Sequence, residues 1–596
     1  MADDAGSSDG TRTVMADAGS SDGTRGDSVR TGAEIIWEVL GREGVDVVFG
    51  YPGGAIMPAY DAMLKYSIRH VLVRHEQGAA HMADGYARAS GRVGVALATS
   101  GPGATNLVTG IATAMLDSIP MVCITGQVSS RLIGSDAFQE TDITGVTLPI
   151  TKHNYLVTRV EDIAPMLREA FYVARSGRPG PVLVDITKDA QQASIDFVWD
   201  GRPVRLPGYR PDHRARPEDV KRAADMIDHA ERPVVFCGHG VIAAGAGALL
   251  NEFVEKTGIP VASTLLGLGG FPATHPLSLG MMGMHGEAWV NRAIQDSDLI
   301  VALGMRFDDR VTGKLETYAP RAKKIHCELD PAEINKNVHV DLPLVGDVAE
   351  TLRALIPALS KINRSSWVAR IHELKGDSAV RDIQTLPHCG RLFAAHVLHD
   401  LWRITEGNAL VVTDVGQHQM WEAQYYKHDF PRKLITSGGL GTMGFALPAA
   451  IGAKFARPEE EVWVVVGDGG FQMTAAELST AAQEGIKIHV AVINNGYLGM
   501  VRQWQQFFYG GRYAATPMRG PDFVKLADAH GLLGMRVTER DQIEDVVAAA
   551  RAATETVVID FRVEQEDSVY PMVAAGADLH DMIRRPSPIV ETATDD

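Results

Sequence analysis

Cysteine is scarce in this 596-residue chain, with four residues, Cys123, Cys237, Cys327 and Cys389, far apart and none in a C-x-x-C pair. Their spacing excludes a disulfide framework and a cysteine-built zinc site, and predicts reduced thiols in the cytoplasm. Long apolar runs are missing too: none approaches the roughly 18 residues of a membrane span. The N-terminus has no basic stretch followed by an apolar one, so secretion is not expected. Positive charge is in deficit: the formal charge is −17 and no long basic stretch offsets it. A partner bound through its phosphate backbone is therefore excluded, nucleic acid included.

What is present is the composition of an ordinary soluble globular protein, 45% hydrophobic and 22% charged. The length predicts roughly three to five domains at about 100–200 residues each. Residues 5–12 and 18–25 both read AGSSDGTR, a duplicated segment with almost nothing to bury. An extension over 1–28 is expected to be disordered, with Met15 an alternative start.

From Thr31 onward helical patterns alternate with short apolar runs such as Val45-Asp46-Val47-Val48-Phe49, Val93-Gly94-Val95-Ala96-Leu97, Met121-Val122-Cys123-Ile124 and Val182-Leu183-Val184. Such alternation predicts parallel sheets wrapped by helices. A Pro/Arg/Gly-rich stretch from Trp199 to Pro217 reads as a linker. A second α/β segment follows, with runs at Val234-Val235-Phe236, Leu299-Ile300-Val301-Ala302-Leu303 and Lys324-Ile325-His326-Cys327, and a third begins near Arg391. The expected architecture is three doubly wound α/β domains at 29–198, 218–360 and 385–575, followed by a tail over 576–596.

The most specific signal lies in the third segment. Val462-Trp463-Val464-Val465-Val466 runs into Gly467-Asp468-Gly469, and the next apolar run, Val490-Ala491-Val492-Ile493, into Asn494-Asn495. With a helical pattern between them this is a βαβ unit, so both polar clusters emerge at the carboxyl edge of neighbouring parallel strands. One carboxylate and one amide oxygen suit Mg²⁺, which takes few protein ligands and completes its shell from phosphates and water. The glycines beside Asp468 let backbone N–H groups approach a diphosphate.

This pattern resembles the diphosphate half of thiamine diphosphate (ThDP) enzymes. The resemblance implies that Asp468, Asn495 and the main-chain oxygen of Tyr497 hold Mg²⁺. ThDP chemistry also needs an acid facing the pyrimidine ring, where it assists removal of the C2 proton through the cofactor. Glu76, in Arg74-His75-Glu76-Gln77 after Val71-Leu72-Val73, stands at such a strand end. The H-E-x-x-H zinc motif fails there, because the fourth residue after His75 is Ala79. Ser100 to Asn106 is a Gly-rich turn leading into an apolar helix, equally readable as a ligand-facing helix start or a plain strand-to-helix turn.

Further segments resemble the catalytic subunit family of acetohydroxyacid (acetolactate) synthases, in one register over roughly residues 30 to 575. They include Gly50-Tyr51-Pro52-Gly53-Gly54-Ala55, Asp136-Ala137-Phe138-Gln139-Glu140, Arg306-Phe307-Asp308-Asp309-Arg310-Val311-Thr312-Gly313, Val415-Gly416-Gln417-His418-Gln419-Met420-Trp421 and Gly438-Gly439-Leu440-Gly441-Thr442-Met443-Gly444. By that resemblance Phe138 and Gln139 reach the site from a partner subunit, and Lys188 stands at the mouth of the substrate channel. By the same resemblance Val415, Gly441 and Met443 contact the aminopyrimidine, Gln417 and His418 lie beside the diphosphate, Gly416 is a further ThDP-binding position, and Met500, Val501 and Trp504 shape an acceptor pocket in which the tryptophan favours 2-oxobutyrate over pyruvate.

The same resemblance gives the central segment to FAD, around Arg178, Met284, His285, Gly286, Arg306, Asp308, Arg310, Glu328 and Asp347. No G-x-G-x-x-G fingerprint supports this directly, since Gly238-His239-Gly240 lacks the third glycine. The family further implies a pyruvate-oxidase-like architecture, a homodimer with shared active sites that can pair into a dimer of dimers, and a small regulatory subunit. Ser129 departs from the proline of plant and fungal members, which implies weak sulfonylurea binding. A flavin-dependent pyruvate oxidase, a glyoxylate carboligase or a non-enzymatic paralogue are the rival readings, and the glutamate at position 76 argues against the carboligase.

Overall fold

The computed structural model describes residues 29–211, 213–379 and 390–585. The duplicated extension, Met15, Cys389 and the last eleven residues lie outside them. The apolar runs become the strands of three six-stranded sheets, and their residues are buried on both faces. That burial requires helices on both sides, and all pairings in the three sheets are parallel, as the alternating sequence predicts.

The first sheet runs, edge to edge, Arg69–Leu72, Val47–Gly50, Gly94–Ala98, Met121–Gln127, Pro181–Thr187 and His153–Val157. The third runs Leu434–Thr436, Leu410–Thr413, Val462–Gly467, His489–Asn494, Val557–Arg562 and Leu533–Val537. With strands counted in chain order within each sheet, the two topologies are the same. The central sheet has the other doubly wound order: Ser278–Met281, Val261–Ser263, Pro233–Cys237, Leu299–Leu303, Lys323–Glu328 and Leu342–Val345. Every such sheet has a point where the strand order reverses, and loops at the carboxyl ends of the two strands there leave a crevice for a ligand. In the third sheet these loops begin at Asp414 and Asp468; in the central sheet they begin at Gly238 and Gly304.

First and third units share one hydrophobic core that includes Phe49, Met82, Val464 and Phe471. Its centre is the contact of helix Glu76–Ser90 with helix Ala446–Ala456. A β-carbon on Gly85 would lie 2.0 Å from the Ala449 carbonyl oxygen, and one on Gly452 would lie 1.9 Å from that of Met82, so only glycine permits this approach. The helix carrying Glu76 is therefore set against the third unit by backbone contact.

The outer layer of the central unit continues past Ile356 into helix Ser365–Ala379, whose Trp367, Ile371 and Leu374 pack against Val234, Phe236 and Ile300. Strand Met582–Ile583 pairs with Met572–Val573, and Val573 and Leu579 join the same central cluster. Cys123, Cys237 and Cys327 are free and buried, and burial pushes each thiol up to about 12. Among the described residues no helix is long and apolar enough to cross a membrane.

Candidate active site

Gly467 ends its strand and Asp468 opens helix Asp468–Thr474, which puts the carboxylate at a helix N-terminus at the switch point of the third sheet. Asp468 is buried, and desolvation pushes its carboxyl up to about 6 despite hydrogen bonds from the backbone N–H groups of Asp468, Gly469 and Gly496. A buried carboxylate without a cationic partner fits a cation. Asn495 follows the neighbouring strand; its Oδ1 accepts from Tyr497 N at 3.1 Å and its Nδ2 donates to Gln417 Oε1 at 3.2 Å. Among the described residues no three His, Cys, Asp or Glu side chains converge on one point, so a hard cation here would rely on two side chains, a carbonyl and the ligand's own oxygens.

Around this pair is a narrow cavity of about 60 Å³, lined by Val415 to His418, Met443, Gly467 to Gly470, Asn495 and Tyr497 to Val501. His418 is held neutral by burial, which lowers it to about 3, and its Nε2 accepts from Gly467 N at 3.3 Å. Cβ atoms on Gly416 and Gly467 would come within 3.0 Å of its ring. Met443 also lines a second, larger cleft of about 890 Å³ together with Val415, Gly441, Met500, Val501 and Trp504.

That cleft extends over the switch point of the central sheet, along His239, Gly240 and Gly304. Of the nine central positions named from the sequence, Arg178, Met284, His285, Arg306, Asp308, Arg310, Glu328 and Asp347 line it. Gly286 does not: its N–H donates to Gly283 O at 2.9 Å, and it acts by closing the turn that presents His285. Asp308 turns its carboxylate back to the N–H groups of Arg310 and Val311 as a helix cap, so it shapes the loop more than it offers charge. Burial raises Glu328, at the end of its strand, to about 7. Arg178 donates to Glu333 and Asp330 and so ties the first unit to the central one.

The remaining predicted residues lie on the first unit. Glu76 is the first residue of its helix and is buried; Asn106 Nδ2 donates to its Oε2 at 2.9 Å. Gly101, at φ +58°, rests on the backbone of Gln139, itself at φ +61°. Phe138 is 88% exposed, and Lys188 opens a short helix after strand Pro181–Thr187. None of Glu76, Phe138, Gln139 and Lys188 lines either cavity. The residues named from the sequence therefore fall in two places: one set surrounds the switch point of the third sheet, and Glu76, Phe138, Gln139 and Lys188 lie beyond the carboxyl ends of three strands of the first sheet, Arg69–Leu72, Met121–Gln127 and Pro181–Thr187.

Sequence reasoning passed over several residues that shape these places. Asp414, fully buried and raised to about 6, accepts from the N–H groups of Val415, Gly444 and Ala446 and so fixes the turn after Met443. Asp117 accepts from Gly438 and Gly439 N–H and from Arg88, anchoring the other end of that loop on the first unit. Asn106 was visible only as the end of a Gly-rich turn. The acidic residues had no local signal, because their partners are remote in sequence.

Three family descriptions match the chain in order: thiamine pyrophosphate enzyme, N-terminal TPP binding domain, over residues 30–146; the central domain over 220–355; and the C-terminal TPP binding domain over 414–561. The chain is 52% identical over 560 residues to the acetolactate synthase of Mycobacterium bovis, covering 92% of this chain and 90% of the relative. It is 51% identical over 565 residues to the acetolactate synthase large subunit of Corynebacterium glutamicum, covering 93% and 90%. Against the acetolactate synthase large subunit of Haemophilus influenzae it is 45% identical over 563 residues, covering 93% and 98%.

Proposed function

The chain belongs to the acetolactate synthase large-subunit family of ThDP-dependent enzymes, and from that premise we propose how its residues carry out the reaction. Two pyruvates give 2-acetolactate and CO₂, or pyruvate and 2-oxobutyrate give 2-aceto-2-hydroxybutyrate, in the biosynthesis of branched-chain amino acids. The observation that carries this reading is the Asp468–Asn495 cavity opening beside an apolar wall of Met443, Met500, Val501 and Trp504.

Asp468, Asn495 and the Tyr497 carbonyl would hold Mg²⁺, and Gln417, His418 and the Gly467–Gly469 backbone would line the place of the diphosphate. When bound, ThDP supplies the electron sink that lets a 2-oxoacid lose CO₂ and its two-carbon remainder join a second carbonyl. Glu76 holds a proton at one carboxyl oxygen for the pyrimidine ring, while Asn106 fixes the other. Met443 and the Met500–Trp504 wall exclude water, protecting the reacting carbon from protonation. The central cleft would take FAD, with Arg178, Arg306 and Arg310 placed to meet a diphosphate and Glu328 at a strand end to meet ribose hydroxyls. We assign that flavin no net redox role.

Because Glu76, Phe138, Gln139 and Lys188 line neither the Asp468 cavity nor the cleft beside it within one chain, we read the working enzyme as a homodimer in which these residues of one chain complete the Asp468 site of the other. The exposure of Phe138, Met473, Leu440 and Val501 supports this. A small regulatory subunit and a cytoplasmic location complete the proposal.

The test is product analysis with pyruvate, ThDP, Mg²⁺ and FAD, with and without 2-oxobutyrate. Acetolactate, with acetohydroxybutyrate winning in competition, is expected. Acetate formed with oxygen uptake would instead make the chain a pyruvate oxidase.

A further inference from the structure

Glu477 is 1% exposed and ends the 3₁₀ turn Ala475–Glu477 that continues helix Asp468–Thr474. Its carboxylate leaves its own unit and takes the backbone of the segment before Glu76. Arg74 N donates to both of its oxygens at 3.1 and 3.2 Å, and His75 N donates to Oε1 at 3.1 Å. Thr480 Oγ1 donates to Oε2 at 2.6 Å, which fixes the carboxylate from behind.

Opposite it stands Gly78, where a β-carbon would lie 2.3 Å from Glu477 Oε1. The Arg74 side chain grips the same region, donating to Gln483 Oε1 at 2.8 Å and to Leu72 O at 2.8 Å. Hydrogen bonds from two successive N–H groups set the backbone direction at Arg74 and His75, and so the direction in which Glu76 leaves the chain. Asn106 holds the tip of Glu76; Glu477 holds its root.

We propose that Glu477 is the positioning residue for Glu76, aiming the acid by fastening its strand-to-helix junction to the turn that extends the Asp468 helix. A carboxylate buried between two units costs desolvation, and satisfying backbone donors one and two residues before Glu76 gives that cost a functional return. The proposal rests on the reading of Glu76 as the acid that faces the pyrimidine ring.

The experiment compares wild type with Glu76→Gln, Glu477→Gln, Gly78→Ala and the double variant Glu76→Gln/Glu477→Gln on the full-length chain. Hydrogen–deuterium exchange of the peptide spanning residues 72–78, read by mass spectrometry without cofactor, reports the two N–H bonds. Exchange of the C2 proton of bound ThDP into D₂O, with Mg²⁺ present and read by quenched NMR, reports what Glu76 does. Glu477→Gln should expose the N–H groups and slow C2 exchange by about 10- to 100-fold, with ThDP affinity within about 3-fold of wild type. If Glu477 acts only through Glu76, the double variant should be no slower than Glu76→Gln within about 3-fold.

Gly78→Ala pushes on the same carboxylate from the other side without changing charge, and it should slow C2 exchange likewise. It carries the test should Glu477→Gln fail to fold. Normal C2 exchange in folded Glu477→Gln or Gly78→Ala, beside slow exchange in Glu76→Gln, overturns the positioning role. So does a double variant slowed by the product of the single effects. Normal C2 exchange in Glu76→Gln instead overturns the underlying reading of Glu76.

Discussion

Asn495 and Gln417 are joined side chain to side chain, Nδ2 donating to Oε1 at 3.2 Å, and this bond fixes Oδ1, which also accepts from Tyr497 N, as the end of the amide that could meet a cation. Gln417 is held in turn: its Nε2 donates to Gln503 Oε1 at 2.9 Å and to Asp567 O at 3.1 Å. A β-carbon on Gly499 would lie 2.1 Å from Gln417 Oε1, so the arrangement leaves no space there. Gln417→Leu should weaken Mg²⁺–ThDP binding by about 10- to 100-fold, the usual cost of losing a residue that orients a ligand side chain. Quenching of Trp421, which lines the cavity, measures it; an unchanged affinity would remove Gln417 from the cation site.

Glu76→Gln keeps the shape of the side chain and its bond from Asn106 while replacing the carboxyl group by an amide. Turnover should fall by on the order of 10²-fold or more with ThDP affinity nearly intact. Steady-state kinetics at saturating cofactor check this, and turnover close to wild type would exclude Glu76 as the acid.

A shared active site has an arithmetical signature. Glu76→Gln and Asp468→Asn chains should each be inactive alone, but their heterodimer contains one site with both residues intact and one with neither. Co-expression in equal amounts should restore about a quarter of wild-type activity, since about half the dimers are mixed and half their sites work. Sites built within one chain would show no recovery.

Trp504 lines the large cleft beside Met500 and Val501, its ring 5.1 Å from that of Phe508. Trp504→Leu removes the flat surface that, on the proposed reading, one extra methylene of an acceptor would pack against, a contact worth about 10-fold or more in discrimination. The preference for 2-oxobutyrate over pyruvate, read from product ratios in mixed substrate, should fall by roughly that factor with turnover on pyruvate alone largely kept. An unaltered ratio would place acceptor choice elsewhere.

Asp185 accepts from Thr125 Oγ1 at 2.7 Å and Gln127 Nε2 at 2.8 Å, and Gln127 Nε2 also donates to Thr141 O in the loop that carries Phe138 and Gln139. Burial raises its carboxyl to about 7, against about 3.9 in an unfolded chain. The fold prefers the protonated form, so this contribution to stability is complete below about pH 4 and is lost as pH rises through 7. In Asp185→Asn, which can serve both neighbours without a charge, the fall in Tm between pH 5 and pH 8 should shrink. An identical pH profile in the variant would show that Asp185 is ionised in the fold at little cost.

The α/β class, the three sheets and the Asp468–Asn495 pair were legible in the chain because each rests on local pattern: short apolar runs, glycines at strand ends and a fixed spacing within one βαβ unit. Those features survive in a linear reading since neighbouring strands and their turns are close in sequence. Glu76 was legible once a cofactor had been named, as an acid at a strand end. Tertiary structure alone decided how these pieces are held. Glu477 meets Arg74 and His75 across about 400 positions, Asp117 meets Gly438 and Gly439 across more than 300, and Gly85 admits Ala449 by lacking a side chain. No composition or periodicity encodes such pairs, because a buried carboxylate finds its backbone donors only after two units have packed. The separation of Glu76 from the cavity of Asp468 is of the same kind: it follows from how one chain folds its two related sheets against each other, and no motif in either carries it.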